Sequence, residues 1–457
     1  MYIKYFVLFL LICLQIEVFS QNGSNIDKRN YYNFGKKLHA EVHYMPSESP
    51  DSITALTLFR FSYDMISFEK SGLLKLADSE FYSLPKFEIE FKDEEGIIRK
   101  RGLWQDTVFS DDFDKTISKT DFIHGALQTE LPAGIYDADI RLSDKNILNI
   151  RKMELKDSAQ YNYYKDEMTG SPVFAYETGS ESKTYIPYIM KNNVEFSSYN
   201  TEILIPVSYK NEFSKYNINC KYIGNLKKSG FHWKSDFDIH NVVIPEKNAT
   251  IIISKNTINQ IEISTNPILP QEQDSLLDIG VIRITLPVEE IVPGEYELKI
   301  VKDGAEDTVT AKFDVVWEDM PVILQRPKYA IESMYYILTD DEYEKMLDAD
   351  SDEYSDEILK YWKNEDHTKF TPYNESMAEY FNRVDYAMFN LRTMAENNGV
   401  KTDRGKIYIL YGEPTSIDRN LNDDKTFEIW KYDHLKKIFL FETVSQGIFK
   451  LIDIKEY

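Results

Sequence analysis

The densest set of potentially reactive side chains is Thr402-Asp403-Arg404, inside the stretch Gly399–Pro414, GVKTDRGKIYILYGEP. A carboxylate beside a guanidinium suits a general acid/base next to an anion clamp, the chemistry of a carboxylate-based hydrolase. That chemistry needs a second group to exchange protons with, and the sequence supplies none nearby. The same residues suit a structural task. Thr and Asp readily hydrogen-bond neighbouring backbone amides. Arg404 would brace a helix carboxylate such as Glu396, while Gly405, Gly412 and Pro414 would shape turns. We therefore assign no catalytic residue and expect the motif to be structural, with the hydrolase as the alternative.

Other candidates are thinner. His39, Glu41 and His43 alternate with Leu38, Ala40 and Val42, so in a strand they share one face. Two imidazoles and a carboxylate are divalent-metal ligands. Such alternation is also what the solvent face of any half-buried strand shows, and residues spread along one strand hardly converge on one ion. No metal site is expected. Asp348, Asp350 and Asp352 imitate the start of a calcium loop, but Glu353 stands where glycine is needed and Leu359 where glutamate is needed. A solvated acidic connection is expected there. Trp430 and Tyr432 share a strand face opposite Phe427 and Ile429, which fits either a sugar or peptide platform or core packing; core is expected. Cys220 reads as a buried hydrophobe. No cofactor is implied.

The elements that must carry these residues change character along the chain. From about Leu38 to Leu155, LHAEVHY, ALTLFRFSY, KFEIEFKD and GIYDADIRL alternate as half-buried strands do. Residues 157–182 are rich in Tyr, Ser, Asp and Glu and read as a linker. A second alternating region runs to Trp317. The two regions echo each other: LPAGIY precedes a strand at Tyr136, and VPGEY precedes one at Tyr296. Immunoglobulin-like and transthyretin-like sandwiches carry such turns. After Pro321 the apolar period becomes helical. Thr339 and Glu342 form a capping box. A long helix is predicted from Glu375 to Asn397, with Met377, Met388 and Met394 on its apolar stripe and Gly399 ending it. Strands KIYILY, FEIWKY, KIFLF and FKLID are predicted to follow.

The expected fold is thus multidomain: β-sandwiches at 36–156 and 183–320, then an α+β domain at 328–457 with helices on a small antiparallel sheet. A chain of 457 residues is too long for one core. Its formal charge of −23, with no basic stripe, argues against nucleic acid as a partner. The start MYIKYFVLFLLICLQIEVFSQ reads as a secretory signal peptide over residues 1–20. Its removal would leave Cys220 alone, which fits a bacterial envelope better than a disulfide-rich secretory route. No transmembrane helix is expected in the mature chain. The expected location is periplasmic, outer-membrane associated or extracellular.

Residues Gly399-Val400-Lys401-Thr402-Asp403, with the following RGKIYILYGEP, EIWKY and FLFE, resemble the bacterial GWxTD-domain family. Val400 stands where the family's tryptophan would be. The resemblance runs from about Ala330 to the end. It implies a Bacteroidetes-like exported protein whose domain has no established activity. Five Asp-Ser/Thr-apolar triplets, from Asp51, Asp106, Asp157, Asp274 and Asp307, are similar to O-glycosylation sites of exported Bacteroidetes proteins. The leading expectation is a non-catalytic protein that binds or scaffolds another envelope protein or a glycan.

Overall fold

The computed structural model describes residues 38–457, except 48–50, 72–78, 147–150, 156–161, 165–166, 178–182, 211–213, 248, 256–260, 268–277, 306–307, 369, 394, 423–424 and 445–446. The expected signal peptide, Met394, the triplets from Asp157 and Asp274, and Asp307 of a further triplet lie outside the described residues. The protein is mostly β-sheet, with a few helices gathered near the C-terminus.

Four sheets lie in successive layers. The first joins Lys86–Lys92 and Asp137–Ser143, flanked by Ile98–Gln105 and Arg151–Leu155. The second is Leu38–Pro46, Ser52–Ser62 and Phe122–Pro132, antiparallel, with Ser52–Ser62 in the middle. Phe59 and Phe61 point from this second sheet into a core with Phe87, Ile89 and Leu142. Phe59 and Phe87 stack with centroids 3.7 Å apart. Leu56 and Leu58 leave by the opposite face and pack on Val173, Ala175, Tyr185 and Leu204 of a nine-stranded third sheet. That sheet's central strand, Thr201–Tyr209, is buried along its whole length. Its other face, with Ile203, Ile205 and Val207, meets Tyr216, Cys220, Tyr296 and Leu298 of a five-stranded fourth sheet.

This layering corrects two expectations. The stretch 157–182 is not simply a linker: Val173–Glu177 pairs with Thr201–Tyr209 inside the third sheet. The face carrying His39, Glu41 and His43 does not look to solvent. Glu41 is 3% exposed and His43 1%, because the nine-stranded sheet lies against that face. A polar–apolar alternation reports two different environments, and here the second environment is another layer rather than water.

The repeated Pro/Gly–Tyr turn has a shared geometry. Tyr136 Oη donates to the Pro132 carbonyl at 2.8 Å, and Tyr296 Oη to the Val292 carbonyl at 2.9 Å. Each bond reaches four residues back and pins the corner before a strand, as in the tyrosine corner of sandwich domains.

Beyond the fourth sheet come helices Pro327–Ser333, Asp340–Leu347, Tyr354–Asn364 and Glu375–Asn390. The expected capping box at Thr339 and Glu342 is formed. Asp348, Asp350 and Asp352 lie exposed in the connection between two of these helices. The third core does not stop at residue 320: it continues through Ile323, Leu324 and Ile331 to Trp430 and Phe441. The chain ends in a four-stranded antiparallel sheet of Ser416–Asn422, Lys425–Tyr432, Lys437–Thr443 and Phe449–Glu456. No helix among the described residues is long and apolar enough to cross a membrane.

Candidate functional site at the helix-to-sheet junction

The long helix starts at Glu375, where the Asn374 side chain accepts from the Met377 amide at 2.7 Å. It ends at Asn390 rather than Asn397. Gly399 is therefore not its terminal glycine; it opens a short 3-10 turn, Gly399–Lys401. The reason is close approach. A Cβ on Gly399 would sit 1.8 Å from the carbonyl oxygen of Ala387, on the last turn of the long helix.

The segment predicted as strand KIYILY is instead a helix, Asp403–Tyr411. Thr402 is its N-cap, accepting from the Gly405 amide at 2.9 Å while its hydroxyl donates to Gly399 O at 2.8 Å. Gly412 closes the helix at φ +79°, a conformation that favours glycine. A short apolar run does not distinguish strand from buried helix by its pattern, and here burial of Ile407, Tyr408 and Ile409 decides. Gly405 permits a second close approach, since a Cβ there would lie 1.9 Å from Gly399 O. The two glycines thus stack helix, turn and helix backbone to backbone.

The polar residues of the motif are each engaged. Asp403 accepts from the Leu451 amide at 2.9 Å and from Lys450 at 3.4 Å, tying the helix start to the last strand. Arg404 is 8% exposed. It does not reach Glu396, whose carboxylate accepts from the Asn398 amide instead. Its Nη1 donates to both oxygens of Glu428 at 3.1 Å, and its guanidinium lies 4.1 Å from the Phe449 ring centroid. Glu428, 1% exposed, also receives Arg419 at 2.9 Å and the Trp430 indole N–H at 3.2 Å. Tyr432 Oη donates to Gly412 O at 2.8 Å. Trp430 and Tyr432 are buried, facing the helices, as is Pro414. Val400, at the family's tryptophan position, is buried and its carbonyl accepts from Tyr336 Oη at 2.9 Å.

Sequence reasoning missed Glu428, which the strand pattern does mark: it lies two residues before Trp430, hence on the same buried face. It also missed Asp385, whose carboxylate accepts from the Val322 and Ile323 amides. Burial pushes the Asp385 carboxyl up to about 7, against the pull of those two amides.

The remaining candidates do not join this junction. His43 Nε2 and Glu41 Oε1 are 3.1 Å apart. The other ring nitrogen lies 2.9 Å from Pro172 O, and Glu41 Oε2 accepts from the Asn192 amide at 2.8 Å. The pair therefore links the second and third layers. Among the described residues no group of three His, Cys, Asp or Glu is placed to hold a metal ion. Cys220 is fully buried, which pushes its thiol up to about 12.

A β-rich chain closed by helices on a small sheet, with the TD-R-G turn at the junction, defines the class. Residues 297–455 match the family model of the GWxTD domain, so the C-terminal third of the chain carries that domain. The match begins inside strand Gly294–Lys302, so it takes in two strands of the fourth sheet as well as the helices. No curated protein matches the chain. Among solved structures, the C-terminal domain of the Streptococcus agalactiae AgI/II polypeptide BspA is similar at 10% identity, covering 61% of this chain and 100% of that one, with a TM-score of 0.14.

Proposed function

We propose that this protein is an exported cell-envelope protein that binds or scaffolds, rather than catalyses, acting on another envelope protein or a glycan. The observation that carries this reading is the occupation of the motif's acid–base groups. Both oxygens of Asp403 and both of Glu428 already accept hydrogen bonds from within the fold. Glu428 is 1% exposed and out of reach of a substrate, and Asp403 is spent tying the helix start to the last strand. The architecture in this proposal is a pair of β-sandwiches, the second taking in Val173–Glu177, followed by an α+β domain. The two pairs of facing sheets and the matching tyrosine corners support it. Export rests on the apolar N-terminal run and the single remaining cysteine.

The test is to purify the mature chain and assay it, with Asp403→Asn, against ester, peptide and glycoside substrates. No turnover above the blank is expected from either. Turnover by the wild type that vanishes in a folded Asp403→Asn would make the protein a hydrolase and overturn the proposal. An intact mass beginning at Gln21 is expected of the protein recovered from cells.

A further inference from the structure

The layers part at one place that the motif does not use. At the Ser62 end of the second sheet, a cleft of about 420 Å³ opens toward the third sheet. Arg60, Phe122 and His124 line one wall; Tyr176, Tyr188 and Glu195 line the other. Arg60 and His124 are direct cross-strand partners. The Arg60 guanidinium sits 4.4 Å from the Phe122 ring centroid and donates to Glu318 at 2.8 Å, while its Nε has no hydrogen-bond partner.

Several polar groups here are unsatisfied within the fold. The His124 ring, the Tyr176 hydroxyl and the Glu195 carboxyl make no hydrogen bond among the described residues. Burial, with Arg60 beside it, pushes His124 down to about 4, so the ring is neutral near pH 7 and offers one donor and one acceptor. Burial, with Glu318 and Asp319 nearby, pushes Glu195 up. The Tyr176 and Tyr188 rings lie 5.3 Å apart.

We propose that this cleft binds a neutral, hydroxyl-rich ring: one residue, or a short run, of a saccharide. The inference rests on the binding-protein reading above and names its ligand class. Charge selects against an anion: Arg60 is already paired with Glu318, and Lys115 shares the lining with Asp121 and Glu195, so no free cation is offered to one. Chemistry selects for hydroxyls: unpartnered donors and acceptors are interleaved, and a sugar's O–H groups serve as both. The aromatic walls supply apolar faces with polar tips. The volume falls within the ~300–1,000 Å³ usual for ligand sites.

The experiment titrates the full mature chain with glucose, galactose, mannose, N-acetylglucosamine and their β-linked disaccharides, with phosphate and acetate as charged comparators. Binding is read by calorimetry and saturation-transfer NMR. At least one neutral sugar is expected to bind saturably, weakened about tenfold or more by His124→Ala or Glu195→Gln. Thermal unfolding checks that the variants fold, and Tyr176→Phe, which removes only a hydroxyl, serves where they do not. If no neutral sugar binds, or phosphate or acetate binds in the cleft instead, the inference is overturned. Sugar binding that every variant retains overturns this site but leaves the binding reading standing. Hydrolysis of a sugar whose binding the variants weaken supports the site and overturns the non-catalytic reading.

Discussion

Glu428 accepts hydrogen bonds from Arg404, Arg419 and Trp430 while almost fully buried. Removing one partner of a buried ion pair leaves an uncompensated charge, whereas replacing both with apolar groups is often tolerated. Glu428→Gln is therefore expected to cost about 3–5 kcal/mol in urea unfolding. The double variant Glu428→Met/Arg404→Met should cost markedly less than the sum of its single changes. Additive costs in that cycle would show that the two residues do not act as a pair. The sequence made the polar character of Arg404 plain, but its partner lies 24 positions away on a strand. Local spacing suggested Glu396 instead, because a sequence displays near neighbours and a buried charge takes whichever counterion the fold delivers.

The motif helix Asp403–Tyr411 depends on contacts that only glycine permits. Gly399→Ala and Gly405→Ala each place a methyl group under 2 Å from a backbone oxygen, where no side-chain rotation relieves the clash. Each is expected to prevent folding or to lower the melting temperature sharply, seen by circular dichroism. Thr402→Ala should cost about 1 kcal/mol through loss of the cap, and Thr402→Ser should restore most of it. A Ser variant as unstable as the Ala variant would remove the cap from the account. The boundary residues of this helix were visible in the sequence as a Thr-Asp start and a Gly-Glu-Pro end. Its type was not, since Ile-Tyr-Ile-Leu-Tyr carries strand propensity that burial against the long helix overrides.

At the scale of the molecule, the layers and the terminal helices are joined by buried polar contacts. Asp385 in the long helix accepts from Val322 and Ile323, just after the last strand of the fourth sheet. Its raised pKa means the folded state holds the proton more tightly than the unfolded chain does. The stabilising contribution of that proton is full below the unfolded value of 3.8 and lost as pH rises through about 7. The stability advantage of wild type over Asp385→Asn should shrink between about pH 5 and about pH 8, read from urea midpoints. An advantage that is constant or grows over that range would show the carboxyl to be ionised throughout. The Glu41–His43 pair serves an analogous joining role between the second and third layers.

By itself the sequence determined the β-rich composition, the two echoing Pro/Gly–Tyr turns, the capping box and the family of the C-terminal domain. These rest on local periodicity, turn chemistry and a contiguous motif, all of which survive whatever surrounds them. Only the tertiary structure decided that the His39-Glu41-His43 face is interior, that KIYILY is helical, and that Arg404 meets Glu428. It alone opened a cleft where Arg60 and His124 face Tyr176 and Glu195. Each of these depends on which surface is brought against which. Strands remote in sequence meet by burying whole faces, and the side chains they carry are sorted into core, ion pair or cleft by that packing.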